Sequence, residues 1–220
     1  MREVTLYTDG ACPGNGTEDA KGGIGWARED GEIRSIYWCD WLTERYGPPT
    51  NQKCELMAAF FPIFATALEA VMIKGALYTK EGEILTLMHI KSDSKYVVDG
   101  INHWLRNWKA NNWKNSKKKP ISNMQMWKDL DSVLSYGHLR GCFTFSHVPG
   151  HSGDPGNDLA DEAARNAVED GEIVPEGGWK EFVTLLDMVK DGDSWLNDDE
   201  ALSWVEELDK ALLGDETPER

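Results

Sequence analysis

The order of its secondary-structure signals is the feature that most constrains how this chain can fold. Three strand-like segments lie within the first 38 residues: hydrophobic and polar residues alternate around residues 4–8 and 24–28, and a hairpin signal, Asp30-Gly31, precedes a third segment at 32–38. After residue 50, helix-like and strand-like segments alternate. Adjacent strands joined by short turns pair antiparallel, whereas strands separated by helices pair parallel. The chain is therefore predicted to be an α/β protein with a mixed sheet flanked by helices.

The helical signals begin at Asn51, which is predicted to cap a helix whose apolar face continues to Leu68. Pro62 lies inside this segment and predicts a kink or a break, because proline cannot donate a backbone hydrogen bond. The elements predicted further along are a buried strand at 84–90, a short helix after Ser94, a helical region at 104–134 interrupted by a turn at 116–120, a strand at 143–148 and a helix at 157–168 capped by Asn157.

The charge is distributed unevenly along the chain. The net charge is −15, which by itself argues against a nucleic-acid partner. Residues 171–220 hold 15 acidic and 4 basic residues, a net charge of −11, so residues 1–170 carry only −4. This division predicts a catalytic domain at 1–170 and an acidic C-terminal extension at 171–220. Helical spacing in the extension predicts two short amphipathic helices, which either dock on the body or form a partner-binding or self-inhibitory element.

The composition also excludes several classes of protein. No run of 18 apolar residues is present, so no membrane span or membrane partner is expected. The N-terminus lacks the apolar segment of a signal peptide. The four cysteines form no CxxC pair and no zinc-binding spacing, which is typical of reduced thiols. We expect a cytoplasmic and monomeric protein. Because the first strand begins next to Met1, we also expect it to be free-standing.

Four acidic residues fall where predicted strands end or helices begin: Asp9, Glu55, Asp93 and Asp161. Sites in α/β sheets form at strand ends, so these carboxylates could converge. Phosphodiester hydrolysis by two divalent cations needs such hard oxygen ligands. Any one of these acids taken alone is more often a surface charge. Asp9 could be a turn residue before Gly10, and Asp161 could complement a helix dipole.

Four sequence segments, in the same order and with the same spacing, resemble the motifs of the type I ribonucleases H. They are YTDGACPGNG at 7–16, CELMAA at 54–59, SDSKYV at 92–97, and VPGHSG at 148–153 followed by Asn157 and Asp161. The resemblance covers residues 1–170. It implies a ribonuclease H-like fold with a five-stranded sheet, in which three antiparallel strands are followed by parallel ones. Two departures are a segment at 60–68 about one turn longer than usual, and an extension without a counterpart.

The same resemblance implies an endonuclease that hydrolyses the RNA strand of RNA–DNA hybrids. It implies that Asp9, Glu55, Asp93 and Asp161 bind two Mg²⁺ ions, for which Mn²⁺ is a possible substitute, with Asp9 bridging both. Glu55 would lie near the ribose 2′-hydroxyl, which distinguishes RNA from DNA. Water would attack in line and leave 5′-phosphate and 3′-hydroxyl ends. His151 would assist proton transfer or product release.

Substrate contacts are implied in two regions. The first comprises the Gly-rich turn and the start of the first helix, where Thr50 is a further candidate contact to a DNA phosphate. The second is a basic protrusion, or handle, at about 104–120, in which lysines neutralise phosphates and tryptophans give rigid support. A charged amphipathic helix with core tryptophans is the simpler interpretation. This interpretation and the duplex-binding handle can both be true. The substrate-binding candidates are Gly10, Asn15, Asn51, Gln52, Trp104, Trp108, Lys109, Trp113, Lys114, Lys117, Lys118 and Lys119.

Three other functions are compatible with part of this pattern. Integrases, transposases and junction resolvases also place acidic residues on such a sheet, but the handle and the His151 loop argue against them. A catalytically inactive hybrid-binding module is disfavoured because all four carboxylates are present. A fragment of a reverse transcriptase is disfavoured by the position of Met1.

Overall fold

The computed structural model describes residues 2–72, 86–135 and 141–170. Its centre is a mixed five-stranded sheet with the strand order β3-β2-β1-β4-β5, which confirms the predicted fold class. β1 pairs antiparallel with β2, and β2 with β3, while β4 and β5 are added parallel to β1. The strands are β1 (Arg2–Ala11), β2 (Gly23–Arg28), β3 (Ile33–Tyr37), β4 (Thr86–Ser92) and β5 (Phe143–His147).

Helices cover both faces of this sheet. α2 packs on β1 and β2 and against α3 and α5, whereas α6 packs on β1, β2 and β3. A π-helical turn, Gly100–Trp104, joins α3 to α4. No helix within the described ranges is long and apolar enough to cross a membrane. The helices are α1 (Asp40–Tyr46), α2 (Asn51–Met72), α3 (Lys95–Asp99), α4 (Leu105–Ala110), α5 (Met124–Ser135) and α6 (Pro155–Asp170).

The main hydrophobic core lies between the sheet and α2. Leu6 and Ile90 from the central strands join Phe60 and Phe64 of α2 in one buried cluster that also includes the fully buried Trp127 of α5. Each such large side chain contributes about 1.5–3 kcal/mol through burial. This packing anchors α2 against the two strands that carry Asp9 and Asp93.

α6 approaches the other face of the sheet unusually closely because the contact is made by small residues. A Cβ atom at Gly23 or Gly25 would collide with the α6 backbone at Ala160 and Ala164. Both alanines are fully buried. The absence of larger side chains on either side therefore brings the helix backbone onto β2 and carries Asp161 toward the end of β1.

The structure corrects three details of the predicted helices. Asn51 is the first residue of α2, and Thr50 takes the cap position, where its Oγ1 accepts a hydrogen bond from the Lys53 N–H at 3.4 Å. α6 begins at Pro155 and is capped by Asp154, whose Oδ1 accepts the Gly156 N–H at 3.1 Å. The predicted cap, Asn157, lies buried inside the helix. At the start of α2 and of α6, more than one nearby side-chain oxygen could accept the free backbone N–H groups of the first turn. The conformation of the preceding loop decides which of them does so.

Of the kink or break predicted at Pro62, the break is wrong, because α2 continues through this residue to Met72. A proline inside a helix costs about 3 kcal/mol. Here its neighbours Phe61 and Ile63 are almost completely buried in the core. Burial of side chains around the proline offsets that cost, so the helix stays continuous.

The predicted helical region at 104–134 is interrupted more extensively than its sequence indicates. α4 ends at Ala110 and α5 begins at Met124, so residues 111–123 are not helical. Asn112, Trp113, Lys118 and Asn123 have φ values between 52° and 59°, a conformation incompatible with a right-handed helix. The two helices predicted in the extension, and the start of the strand predicted at residue 84, lie outside the described residues.

Candidate active site

Two aspartates meet at the carboxyl edge of the sheet because their strands are adjacent and parallel. The register pairs Thr8 of β1 with Ser92 of β4. The next residues along the two strands are Asp9 and Asp93. Since neighbouring parallel strands end at the same edge, these two side chains lie side by side, as the sequence pattern predicted.

Glu55 joins them from the first turns of α2, and Gly10 makes this approach possible. A Cβ atom at position 10 would overlap the peptide between Cys54 and Glu55. The Gly10 N–H donates a hydrogen bond of 2.8 Å to Asp9 Oδ1. Gly10 therefore allows β1 and the start of α2 to touch while its amide holds the Asp9 carboxyl group.

Carboxylate oxygens of Asp9, Glu55 and Asp93 all lie within 4.8 Å of one another. Asp161 is outside this group of three. It lies beside this group, close enough to raise the pKa of Asp9, and its Oδ2 is 3.0 Å from Arg165 Nη2 one helical turn later. The structure thus brings the four predicted carboxylates to one place, three of them in mutual contact range and the fourth at the margin.

Crowding and burial make these carboxyl groups difficult to ionise. Burial raises the pKa of Asp9 to about 7, with the charges of Asp93 and Asp161 acting in the same direction and the Gly10 amide opposing them. Burial, followed by the charge of Asp9, raises the pKa of Glu55 well above its ordinary value. The pKa of Asp93 is raised mainly by burial, although His151 partly counteracts this. Such a cluster attracts cations, because a positive charge relieves the repulsion.

The residues present fit a hard divalent cation. Glu55 is 7 % exposed, and its Oε2 atom has no hydrogen-bond partner among the described residues. An unpartnered buried carboxylate oxygen is costly unless a cation or water satisfies it. The donor set is all oxygen, which Mg²⁺ and Mn²⁺ prefer.

The loop that carries His151 packs against the end of β4. The Val148 N–H donates a 3.0 Å hydrogen bond to the Ser92 carbonyl oxygen. A Cβ atom at Gly150 would lie 2.6 Å from Asp93 Oδ2, so this glycine permits the contact. His151 is exposed, has a φ of 52° and is close enough to lower the pKa of Asp93 electrostatically. Its imidazole is therefore exposed at the rim of the carboxylate cluster.

A second histidine at this rim was not predicted from the sequence. His147 ends β5, and its Nε2 lies 3.1 Å from the Asp93 carbonyl oxygen. The charge of His147 also lowers the pKa of Asp93. The available signal was its position at the end of the strand that leads into the His151 loop.

The predicted contacts around the Gly-rich turn form one exposed surface beside the carboxylates. The Asn51 N–H donates to Asn15 Oδ1 at 3.3 Å, which ties the turn to the start of α2. Asn15, Asn51 and Gln52 are exposed, whereas Gly10 is buried beneath them. Three of these four candidates can therefore touch a ligand through their side chains, while Gly10 has a packing role.

In the predicted handle, a chain of contacting aromatic rings connects an exposed surface to the core. The ring of Trp104, which is 39 % exposed, lies 5.6 Å from that of Trp108, and Trp108 lies 5.1 Å from the fully buried Trp127. Trp113 is half-buried, with the Lys128 ammonium 5.8 Å from its ring. The tryptophans thus combine core packing with support of the handle, as the two interpretations together predicted.

The lysines of the handle differ in their availability. Lys109 Nζ lies 2.7 Å from Asp131 Oδ1, so its charge is already paired. Asn115 Oδ1 accepts hydrogen bonds from the Lys117 and Lys119 amides and so shapes a tight turn. This turn presents four exposed side chains on one projection: Lys114, Lys117, Lys118 and Lys119.

Comparison with known families and relatives agrees with this geometry. Residues 1–169 match the model of the RNase H family. The chain is 39 % identical over 168 residues to a ribonuclease H of Francisella tularensis subsp. novicida, a match that covers 75 % of this chain and 90 % of that relative. A ribonuclease H of Francisella philomiragia is also 39 % identical, over 166 residues.

Solved structures with the same architecture include the RNase H domain of prototype foamy virus. It superposes with a TM-score of 0.54 at 26 % identity, covering 76 % of this chain and 94 % of that one. LC9-RNase H1, described as a type 1 RNase H with the type 2 active-site motif, superposes with a TM-score of 0.53 at 23 % identity. That match covers 86 % of this chain and 85 % of the other, and it supports the fold alone.

Proposed function

The chain belongs to the ribonuclease H family, and from that premise we propose that it is an endonuclease that cuts the RNA strand of RNA–DNA hybrids, leaving 5′-phosphate and 3′-hydroxyl ends. The observation that carries this proposal is the group of Asp9, Glu55 and Asp93 oxygens within 4.8 Å at the ends of adjacent parallel strands. Asp161 completes the set from α6. A structure of a related foamy viral protease-reverse transcriptase was determined in complex with an RNA/DNA hybrid.

These residues would hold two Mg²⁺ ions, with Mn²⁺ as a substitute. When bound, the ions would supply positive charge to the attacking and leaving oxygens of the phosphodiester. The family resemblance makes Asp9 the candidate ligand of both ions, which its proximity to Glu55 and Asp93 and its electrostatic interaction with Asp161 support. The raised pKa values of Asp9 and Glu55 mean that cation binding would release protons.

The other side chains are assigned roles according to their positions. Glu55 adjoins the exposed Asn51–Gln52 surface and is the candidate for sensing the 2′-hydroxyl. His151 is exposed near Asp93, where its imidazole can accept a proton during the reaction and hand it to solvent. Asn15 and Asn51 offer polar groups to the hybrid backbone beside the cleavage position.

The handle would hold the duplex through its phosphates. The exposed lysine turn from Lys114 to Lys119 presents four ammonium groups, and Trp104 adds an exposed aromatic ring to the handle. Phosphate contacts position a protein on a duplex without reading its sequence. We therefore expect hybrid cleavage with little dependence on base sequence.

The direct test is a substrate panel with the full chain and Mg²⁺. Equal concentrations of labelled RNA–DNA hybrid, duplex DNA, duplex RNA and single-stranded RNA would be incubated in parallel, with the Asp9→Asn variant as the matched control. Cleavage of the hybrid RNA strand alone is expected. Ligation of the products would report their ends. Cleavage of duplex DNA or single-stranded RNA at a comparable rate would refute the proposal.

A further inference from the structure

Two cysteine side chains lie close together beside the carboxylate cluster. Cys12 follows the last residue of β1, and Cys54 precedes Glu55 on α2. Gly10, two residues before Cys12, packs on the peptide that follows Cys54, and Cys12 packs against the core cluster that contains Cys54. The two thiols are close enough for each to shift the pKa of the other. Cys54 is fully buried, and a Cβ atom at Gly22 would lie 2.9 Å from its Sγ, whereas Cys12 is only half-buried. One thiol of the pair therefore faces solvent and the other lies directly behind it.

Cys12 has the environment of a reactive thiol. The interaction with the Cys54 thiol lowers the pKa of Cys12 to about 7, partial burial opposes this, and the charge of Lys53 acts in the same direction as that interaction. The thiolate is the nucleophile in thiol–disulfide exchange, and an attacking thiol with a pKa near the ambient pH reacts fastest. Cys12 meets this condition and is accessible.

The remaining two cysteines provide a contrast within the same chain. Cys39 and Cys142 are buried, and burial raises the pKa of Cys39. Their burial distinguishes both of them from the half-exposed Cys12. They serve as internal controls for selective reaction at the first pair.

We propose that Cys12 and Cys54 form a dithiol that a small-molecule disulfide of the glutathione class oxidises to an intramolecular disulfide, and that this bond inactivates the neighbouring carboxylate site. The Cys12 thiolate attacks one glutathione sulfur, forming a mixed disulfide and releasing the first glutathione, which takes up the Cys12 proton. Cys54 then attacks the Cys12 sulfur, loses its proton and releases the second glutathione. The two cysteines lose two electrons, which reduce one glutathione disulfide to two thiols.

The disulfide would disturb the carboxylate site because both sulfurs are attached to elements that hold it. Gly10, next to Asp9, packs on the peptide between Cys54 and Glu55 with no space to spare. A disulfide bond of about 2.05 Å is shorter than any non-bonded sulfur contact, so its formation draws the turn after β1 toward α2. A misplacement of about 1 Å at reacting groups can reduce turnover by about 10²-fold. This functional consequence rests on the proposed function, whereas formation of the bond does not.

The experiment uses the full chain, incubated with glutathione disulfide and then denatured and alkylated without reduction. Peptide mass analysis is expected to find Cys12 and Cys54 joined with the loss of two hydrogens, and Cys39 and Cys142 alkylated. Hybrid cleavage by the oxidised protein is expected to fall about 10²-fold and to recover after dithiothreitol. Cys12→Ser should resist both changes. Cys54→Ala should stop at a glutathione adduct on Cys12.

Each part of the proposal can fail separately. Four alkylated cysteines after oxidation, or a stable glutathione adduct on wild-type Cys12, would overturn the dithiol. A joined Cys12–Cys54 peptide with undiminished hybrid cleavage would overturn the inactivation. If reduced protein cuts no hybrid, the proposed function fails while the mass analysis still decides whether the disulfide forms. Cys142→Ala is the matched control and should oxidise and lose activity like the wild type.

Discussion

At the scale of single residues, Asp9 shows how burial and neighbouring carboxylates oppose ionisation in the site. It accepts the Gly10 amide at 2.8 Å, interacts electrostatically with Asp161 and lies within 4.8 Å of Glu55 and Asp93 oxygens. Its pKa of about 7 shows how strongly burial and like charges oppose its ionisation. A carboxylate held in this way destabilises the metal-free fold and favours cation binding. Function and stability are therefore opposed at this position.

Asp9→Asn should separate the contribution of this carboxylate to cleavage from its effect on stability. Hybrid cleavage should fall below detection, because the amide removes a charge from the cluster without changing its shape. The metal-free variant should melt at a higher temperature than the metal-free wild type at pH 8, because a buried like charge is removed. Each 1 kcal/mol gained would raise the melting temperature by about 2–4 °C. Near wild-type cleavage, or a lower melting temperature, would contradict this account.

His151 requires a replacement that respects its backbone. Its φ of 52° is tolerated by asparagine better than by alanine, so His151→Asn removes the imidazole with little strain. Turnover should fall by about 10²–10⁴-fold if the imidazole assists proton transfer. Single-turnover and steady-state measurements would separate chemistry from product release. Unchanged rates for both steps would exclude the assigned role.

At the scale of elements, the handle is a projection with an aromatic base. Trp127 of α5 is fully buried and donates from Nε1 to the Tyr96 hydroxyl at 2.7 Å, and Asn123 Nδ2 donates to the same oxygen at 3.1 Å. Trp108 contacts Trp127 in an edge-to-face arrangement. The exposed lysine turn is consequently attached to the core through rigid rings, which limits the entropy lost when it binds phosphates.

Replacing the four lysines of the turn, Lys114, Lys117, Lys118 and Lys119, with alanine should raise the Michaelis constant more than it lowers turnover. If all four contact phosphates, the slope of the logarithm of affinity against the logarithm of salt concentration should become shallower by about 3–4. Titrations at several salt concentrations measure this slope. Arg2→Ala, an exposed cation at the opposite end of β1 from Asp9, is the control and should leave the slope unchanged.

At the scale of the whole molecule, protonation of the carboxylates is linked to folding. The folded protein raises the pKa of Asp9 to about 7 and raises those of Glu55 and Asp93 as well. Between their ordinary values, near 4, and the raised values, the folded state binds more protons than the unfolded chain. The contribution of these groups to the free energy of unfolding therefore decreases as the pH rises through that interval.

This linkage predicts a pH dependence that a cation removes. In the presence of a chelator, the free energy of unfolding should fall between pH 5 and about 7 because of these carboxyl groups. Saturating Mg²⁺ should flatten the decline, because it binds the ionised folded state. Urea unfolding across this pH range provides the measurement. The Asp9→Asn variant is the control, and its free energy of unfolding should depend less steeply on pH. Identical pH profiles with and without Mg²⁺ would contradict the assignment of the cluster as a cation site.

Truncation after residue 170 tests the division of the chain into a catalytic domain and an acidic extension. All four carboxylates, His151 and the handle precede that position, so cleavage specific for hybrids should be retained. The formal charge changes from −15 to −4, which should speed association with a polyanionic hybrid at low salt. Cleavage rates at low and high salt would be compared. A soluble, folded truncation without cleavage would show that the extension completes the active site.

Local signals in the sequence were sufficient to predict most of the elements, whereas the catalytic candidates were chosen through the four motifs that resemble the ribonucleases H. Alternating apolar residues predicted β1 and β2, and the helical period predicted α2 and α6, because these patterns reflect which face is buried. α1 was not predicted. Its tertiary contacts include the Arg45 and Tyr46 side chains, which lie 3.1 Å and 2.8 Å from Oδ2 of the fully buried Asp129. Such contacts between distant segments have no local periodic signature.

What the sequence alone determined about this protein is the family resemblance, the four carboxylates proposed from it, and most of the strands and helices that carry them. Only the tertiary structure decided that Thr50 and Asp154 cap the helices, that α2 continues through Pro62, and that Cys12 lies close to Cys54. It also decided the raised pKa values, because desolvation and the repulsion between charges depend on distances that long-range packing sets. Residue type and periodicity are local properties, whereas contact and burial arise only when the sheet brings distant segments together.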